Sequence, residues 1–197
     1  IRQAFSFLKR LNEEGYEDIN VSVNISVIQI LKEDFCSNFF RLMDEMKVRP
    51  ENVGIEITES VFTSSYIEIN KILGEMKKAG IHIYIDDFGT GYSSLARERE
   101  LNINSLKIDK FFVDDLMVLD PQREIIIDII SMAHKFDHKA IAEGVEHEKQ
   151  RKNLIKCGCD RIQGFLISKP LDEDDAIKFL RKNTKRKKDS TKKGEQM

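Results

Sequence analysis

The spacing of apolar positions changes period repeatedly along this chain. Six short runs rich in Val and Ile read as strands: "INVSVNI" (19–25), "VGIEIT" (53–58), "IHIYID" (81–86), "SLKID" (105–109), "KAIAE" (139–143) and "DRIQG" (160–164). Between most of them apolar residues recur at helical spacing, as in "IRQAFSFLKRL", "FCSNFFRLMDEMKV" and "YIEINKILGEMKKAG", the last closing at Gly80. In "DPQREIIIDIISMAHKF" Asp120 can cap and Pro121 suits the first helical position, and "EKQRKNLIKCG" closes at Gly158. Repeated strand and helix units predict an α/β fold with a parallel sheet covered by helices.

In such sheets ligands bind at the carboxyl ends of the strands. Asn24 ends the first run, Glu56 and Glu59 the second, Asp86 and Asp87 the third, Lys107 and Asp109 the fourth, Glu143 and Glu146 the fifth, and Gln163 the sixth. A doubly wound sheet concentrates its site at one crevice. Polar groups from every strand suit a closed barrel instead.

Several carboxylates on one rim repel one another by roughly 4 kcal/mol per pair at about 4 Å and an effective dielectric of about 20. A compensating cation or bound protons must offset this. Oxygen ligands favour hard cations such as Mg²⁺ or Mn²⁺, and adjacent aspartates can serve two such ions. The plainer reading of any single acid is a helix cap. For Asp86 and Asp87 the following "FGTGYSS" starts no helix at once, and its Gly89 and Gly91 could cradle phosphate, a weak signal alone. Lys107 taken alone could be a structural ion pair. His134 and His138 fall at a helix C-terminus, where His is favourable anyway, and receive no function.

Composition narrows the class without deciding the chemistry. With 197 residues, 41% of them apolar, the chain can bury a sizeable core. No apolar run approaches the roughly 20 residues of a membrane span, and no signal segment opens the sequence, so a cytoplasmic location is expected. Cys36, Cys157 and Cys159 lack metal or redox spacing and read as idle reduced thiols. Residues 181–197 carry eight Lys/Arg against two Asp/Glu, and a basic, disordered tail is expected from 183. Without interleaved aromatics that tail reads as a solvated terminus and not a nucleic-acid binder. The first residue is Ile and already lies in a helical pattern, so the chain reads as part of something larger.

The motifs "VNIS" (23–26), "EITES" (56–60), "DDFGTGYSSL" (86–95), "LKIDK" (106–110), "AEGVE" (142–146) and "QGFLISKPL" (163–171) resemble the EAL-domain phosphodiesterases of the bacterial messenger cyclic di-GMP. The resemblance runs in order from residue 1 to about residue 182. It implies a TIM-like (β/α) barrel with two Mg²⁺ or Mn²⁺ ions that opens one phosphodiester of cyclic di-GMP to give linear pGpG. By motif, Asn24, Glu56 and Asp86 would hold the first ion, and Asp86, Asp87 and Glu143 the second. Lys107 would act on the attacking water or the phosphate, Glu146 and Gln163 would position neighbouring groups, and Glu59 would anchor the 86–94 loop. A homodimer is implied, along with an upstream sensor or GGDEF domain, often behind a membrane segment. No contact with a membrane or nucleic-acid polymer is expected of this segment.

The resemblance has departures. No strand carrying the Glu-Ala-Leu motif precedes Ile1, so six of the eight barrel strands are counted and one ligand of the first ion is missing. Phe165 stands where Tyr is usual, and "ARERELNIN" replaces a more apolar linker. A weak or inactive enzyme is therefore expected of this chain alone, with self-association through exposed sheet edges. The alternative is a non-catalytic module that binds cyclic di-GMP or a protein. An unrelated metal-dependent barrel enzyme is disfavoured by the motif order.

Overall fold

The computed structural model describes residues 1–62, 65–89, 99–116 and 121–194, with the side chains of these except Ser60, Phe62, 121–124 and 185–194. They belong to two compact units, Ile1–Ile167 and Ser168–Met197.

In the first unit the strands are β1 (Val21–Asn24), β2 (Val53–Thr58), β3 (His82–Phe88), β4 (Ser105–Ile108), β5 (Lys139–Ala142) and β6 (Arg161–Ile162). Its α-helices are α1 (Arg2–Glu13), α2 (Val27–Ile30), α3 (Phe35–Met46), α4 (Tyr66–Lys78), α5 (Lys110–Asp115), α6 (Pro121–Lys135) and α7 (Glu148–Lys156). All six strands follow their sequence reading within two residues at each end. The sixth keeps only Arg161–Ile162 of its expected 160–164, because the backbone turns away to reach Gly164 at φ +154°. Asp120, the expected cap of α6, lies outside the described residues.

All strands are parallel, and their order in the sheet is their order in the chain. Parallel crossovers are nearly always right-handed, so a sheet that adds each strand on the same side puts every helix on one face and curls. The result is the expected incomplete barrel, an open half-barrel of six strands with β1 and β6 at its edges.

The register fixes what each face carries. Ile55 lies opposite Ile83, Ile85 opposite Leu106, and Leu106 opposite Ala140, and all of these are fully buried on the helix-covered side. The helices meet them with residues at helical spacing, such as Phe5, Leu8 and Leu11 of α1 and Ile69, Leu73 and Met76 of α4. Full burial of each such side chain contributes about 1.5–3 kcal/mol relative to exposure. Period-two alternation then turns Ser22, Glu56, Tyr84, Lys107 and Arg161 to the concave side, where they line a cavity of about 420 Å³.

The second unit consists chiefly of α8 (Glu173–Gly194). Asp172 Oδ1 accepts the Asp175 backbone N–H at 2.8 Å, and Glu173, Asp174 and Asp175 occupy the first turn, where negative charge suits the helix dipole. Helical backbone extends to Gly194, inside the basic segment 183–197.

Candidate functional site

The carboxyl ends of β2, β3, β4 and β5 meet at Lys107. Its Nζ lies 2.8 Å from Glu56 Oε2, 2.9 Å from Asp86 Oδ1 and 2.8 Å from Glu143 Oε1. Alternation along β4 aims Lys107 into the concave face, and its side chain is only 5% exposed. Burial works against the ammonium, but the hydrogen bonds it donates to Glu143, Glu56 and Asp86 outweigh it and hold the pKa above the ordinary lysine value. Lys107 is therefore a fixed positive charge and not a base near neutral pH. Glu56 also accepts from Ser22 Oγ across the sheet.

Asp86 and Asp87 reach the same rim through an irregularity in β3. Ile85 and Phe88 are three positions apart, while their partners Leu106 and Ile108 are two apart. One extra residue is thus inserted opposite Lys107, as in a β-bulge. Regular pleating would send adjacent side chains to opposite faces. Asp87 instead adopts φ +54°, a left-handed conformation that Asp tolerates better than most residues. Oxygens of Asp86, Asp87 and Glu143 consequently lie within 4.8 Å of one another.

This concentration of charge has consequences for each acid. Burial, opposed by Lys107 and aided by Asp86, pushes the Glu143 carboxyl up to about 7. Partial desolvation, Asp86 and Asp109 raise Asp87 above the ordinary aspartate value. Three carboxylates around one ammonium leave negative charge unbalanced, and the cluster is made wholly of oxygen donors, the chemistry of Mg²⁺ or Mn²⁺. Ligands about 2.1 Å from such an ion stand about 3–4 Å apart, so the cluster fits one after a small closure.

Most of the other sequence candidates stand at or follow the carboxyl ends of the strands, whereas His134 and His138 precede β5 at the opposite end of the sheet. Asn24 ends β1 opposite Glu56 in the register. Gln163 follows β6, with its backbone N–H on Ala142 O at 2.8 Å and its carbonyl accepting from Val145 N at 3.0 Å. Glu59 is buried, and its Oε2 accepts the Gly89 N–H at 3.2 Å at the start of the 86–94 loop. Gly91 and the rest of that loop from residue 90 lie outside the described residues. Glu146 pairs with Lys110 of α5 at 3.1 Å. Asp109 caps α5 through the Phe111 N–H at 2.7 Å. His134 pairs with Asp160 at 2.8 Å, and His138 is buried before β5.

Two participants escaped the sequence reading. Ser22 gives no local signal, because its contact with Glu56 depends on strand register. Gln150 does give one: it stands three residues after His147 at a helix start, a capping-box position.

A family model described as the EAL domain matches residues 1–170. Among curated proteins, the signaling protein YkoW of Bacillus subtilis is 36% identical over 169 residues, 86% of this chain and 21% of YkoW. The chain spans about a fifth to a quarter of the length of the curated relatives it matches. The crystal structure of the EAL domain of Mycobacterium smegmatis DcpA superimposes with a TM-score of 0.87 at 34% identity, covering 92% of this chain and 82% of that one. PaMucR phosphodiesterase in complex with c-di-GMP gives 0.83 at 30%, covering 89% and 71%. Klebsiella pneumoniae BlrP1 in a manganese and cy-diGMP complex gives 0.76 at 25%, covering 86% and 43%. With the motifs in order, the half-barrel shared with these structures and the family model matched over residues 1–170, this chain belongs to the EAL domain family.

Proposed function

We propose that this chain carries the metal-dependent phosphodiesterase site for cyclic di-GMP, hydrolysing it to linear pGpG. One observation supports this above the others: Glu56, Asp86 and Glu143 from three strands converge on Lys107, while a bulge turns Asp87 toward the same rim. Asn24, Glu56 and Asp86 would hold one Mg²⁺ or Mn²⁺ ion, and Asp86, Asp87 and Glu143 a second. When bound, the two ions supply Lewis acidity and a lowered water pKa.

In the reaction a water oxygen bonds to phosphorus as one P–O3′ bond breaks, and a proton ends on the departing 3′ oxygen. Lys107, fixed as a cation by three carboxylates, orients the water and offsets charge growing on the phosphate oxygens. Glu59 fixes the entrance of the 86–94 loop through Gly89. Glu146 and Gln163 shape the wall beside Glu143. A second copy and an attached sensor or GGDEF domain are the proposed protein partners, acting in the cytoplasm. Among the described residues no helix is long and apolar enough to cross a membrane.

The test is to incubate the protein with cyclic di-GMP and Mn²⁺ or Mg²⁺ and separate the products chromatographically. The expected result is pGpG, formed slowly because this chain carries no Glu-Ala-Leu ligand for the first ion, abolished by chelator and reduced further by Asp86→Asn. Calorimetric Mn²⁺ uptake without any loss of cyclic di-GMP would overturn the catalytic reading and leave a binding module.

A further inference from the structure

The loop that carries Glu143 and Glu146 is held in place by a side chain outside the acid cluster. Gln150 lies in the first turn of α7 and is 1% exposed. Its Oε1 accepts the backbone N–H groups of Glu146 and His147, both at 2.9 Å. Its Nε2 faces Val113 O at 3.3 Å and Asp114 Oδ1 at 3.4 Å, both on α5. A primary amide offers two acceptor sites and two donors, and this one uses all four. Ordinary helix capping needs only the acceptor end. The donor end reaches a different helix.

That helix, α5, follows β4 directly, so its position is tied to that of Lys107. The loop that Gln150 holds follows β5, so its position is tied to that of Glu143. Lys110 adds a second tie between the same two segments, pairing with Asp114 at 2.9 Å and Glu146 at 3.1 Å. Gly144 lets the loop lie against α5: it has φ +63°, and a Cβ there would overlap Lys110 Cγ.

We propose that Gln150 is a positioning residue that sets the separation of Lys107 and Glu143, and with it the geometry in which the acid cluster grips a divalent ion. This rests on the metal-site reading above. Gln150 touches neither substrate nor ion in this role. It works by holding two amides on one side and a carbonyl on the other, so that the loop cannot drift away from β4.

The experiment compares the wild type with Gln150→Met, Gln150→Glu and the control Leu154→Ala. Leu154 is a fully buried residue of the same helix that takes no part in the tie. Three quantities are measured on each folded protein: amide hydrogen exchange at Glu146 and His147, Mn²⁺ affinity by titration, and turnover of cyclic di-GMP. Gln150→Met is expected to expose both amides to exchange and to weaken Mn²⁺ binding and kcat by about 10- to 100-fold, with KM changing much less. Leu154→Ala is expected to lower stability while leaving affinity and kcat within about threefold of wild type.

Gln150→Glu keeps the acceptor for both amides but loses both donors to α5, so it should leave the amides protected while weakening Mn²⁺ affinity by about 10-fold or more. If Gln150→Met does not fold, Gln150→Glu supplies the comparison. Amides exposed with affinity intact in Gln150→Met, or affinity unchanged in Gln150→Glu, would overturn the proposal. So would a Gln150→Met protein that merely tracks Leu154→Ala. A wild type that binds Mn²⁺ without hydrolysis defeats the catalytic reading alone, and the positioning role is then judged on affinity and exchange. A wild type that takes up no Mn²⁺ defeats both.

Discussion

Replacing Lys107 by Met tests the electrostatics of the rim directly. The methionine side chain is similar in length and removes only the charge and its hydrogen bonds. Three carboxylates then face each other around the 2.8–2.9 Å positions that the ammonium had filled. At 4.8 Å, the outer spacing of Asp86, Asp87 and Glu143, each pair repels by about 3.5 kcal/mol at an effective dielectric of about 20. Breaking a buried charge pair without a substitute costs about 3–5 kcal/mol of folding stability. The cost has a definite pH dependence. Lys107 lowers the pKa of both Glu143 and Asp87, so removing it raises these two further above their unfolded values, and the variant loses stability as pH rises through that interval and is least affected near pH 4. Each affected group contributes a slope of up to about 1.4 kcal/mol per pH unit. Urea denaturation in chelator at several pH values from 4 to 8 measures this. Added Mn²⁺ should restore stability in proportion to RT ln(1 + [L]/Kd). A Lys107→Met protein as stable as the wild type at pH 7.5 without metal, with an unchanged pH profile, would refute the picture of acids held together by one cation.

Two further predictions concern the frame around the site. Gly89 has φ +97°, and a Cβ there would lie 2.5 Å from the Phe112 ring, so Gly89→Ala should cost about 1–3 kcal/mol in a denaturation midpoint; a change below about 0.5 kcal/mol would contradict the strain. Burial, with Lys77 adding to it and Asp137 and a hydrogen bond to the Leu101 backbone opposing, lowers His138 to about 4. The unfolded chain takes up this proton below about pH 6.5, so stability should fall by about 3 kcal/mol between pH 6.5 and 4 and then level off. His138→Gln should abolish that component in parallel urea titrations, and an identical profile in the variant would remove His138 as its source.

The strands were legible in the sequence because their two faces differ so strongly. Ile55, Ile57, Ile83 and Ile85 alternate with Glu56, Tyr84 and Asp86, and this pattern alone assigns one face to helices and the other to chemistry. Strand order needed no more than right-handed crossovers applied in sequence. The ends of the last strand were less legible, since an edge strand has one neighbour to hold it and Arg161–Ile162 pair only with β5. Contacts made across the sheet or between helices, such as Ser22 with Glu56 and Gln150 with Val113, leave little trace in local pattern.

The adjacent pair Asp86 and Asp87 shows where pattern alone fails. Under strict alternation these two acids cannot share a face, so the period-two rule that locates Asp86 on the rim would send Asp87 among the buried isoleucines. Burying a lone carboxylate there would cost several kcal/mol. Shifting the register with β4 by one residue and placing Asp87 at φ +54° costs only about 1–2 kcal/mol by comparison. The bulge is therefore the cheaper outcome of putting two aspartates in sequence at that point. It also brings a third carboxylate to Asp86 and Glu143, so one local backbone irregularity turns an ion pair with Lys107 into a cluster able to grip a divalent cation.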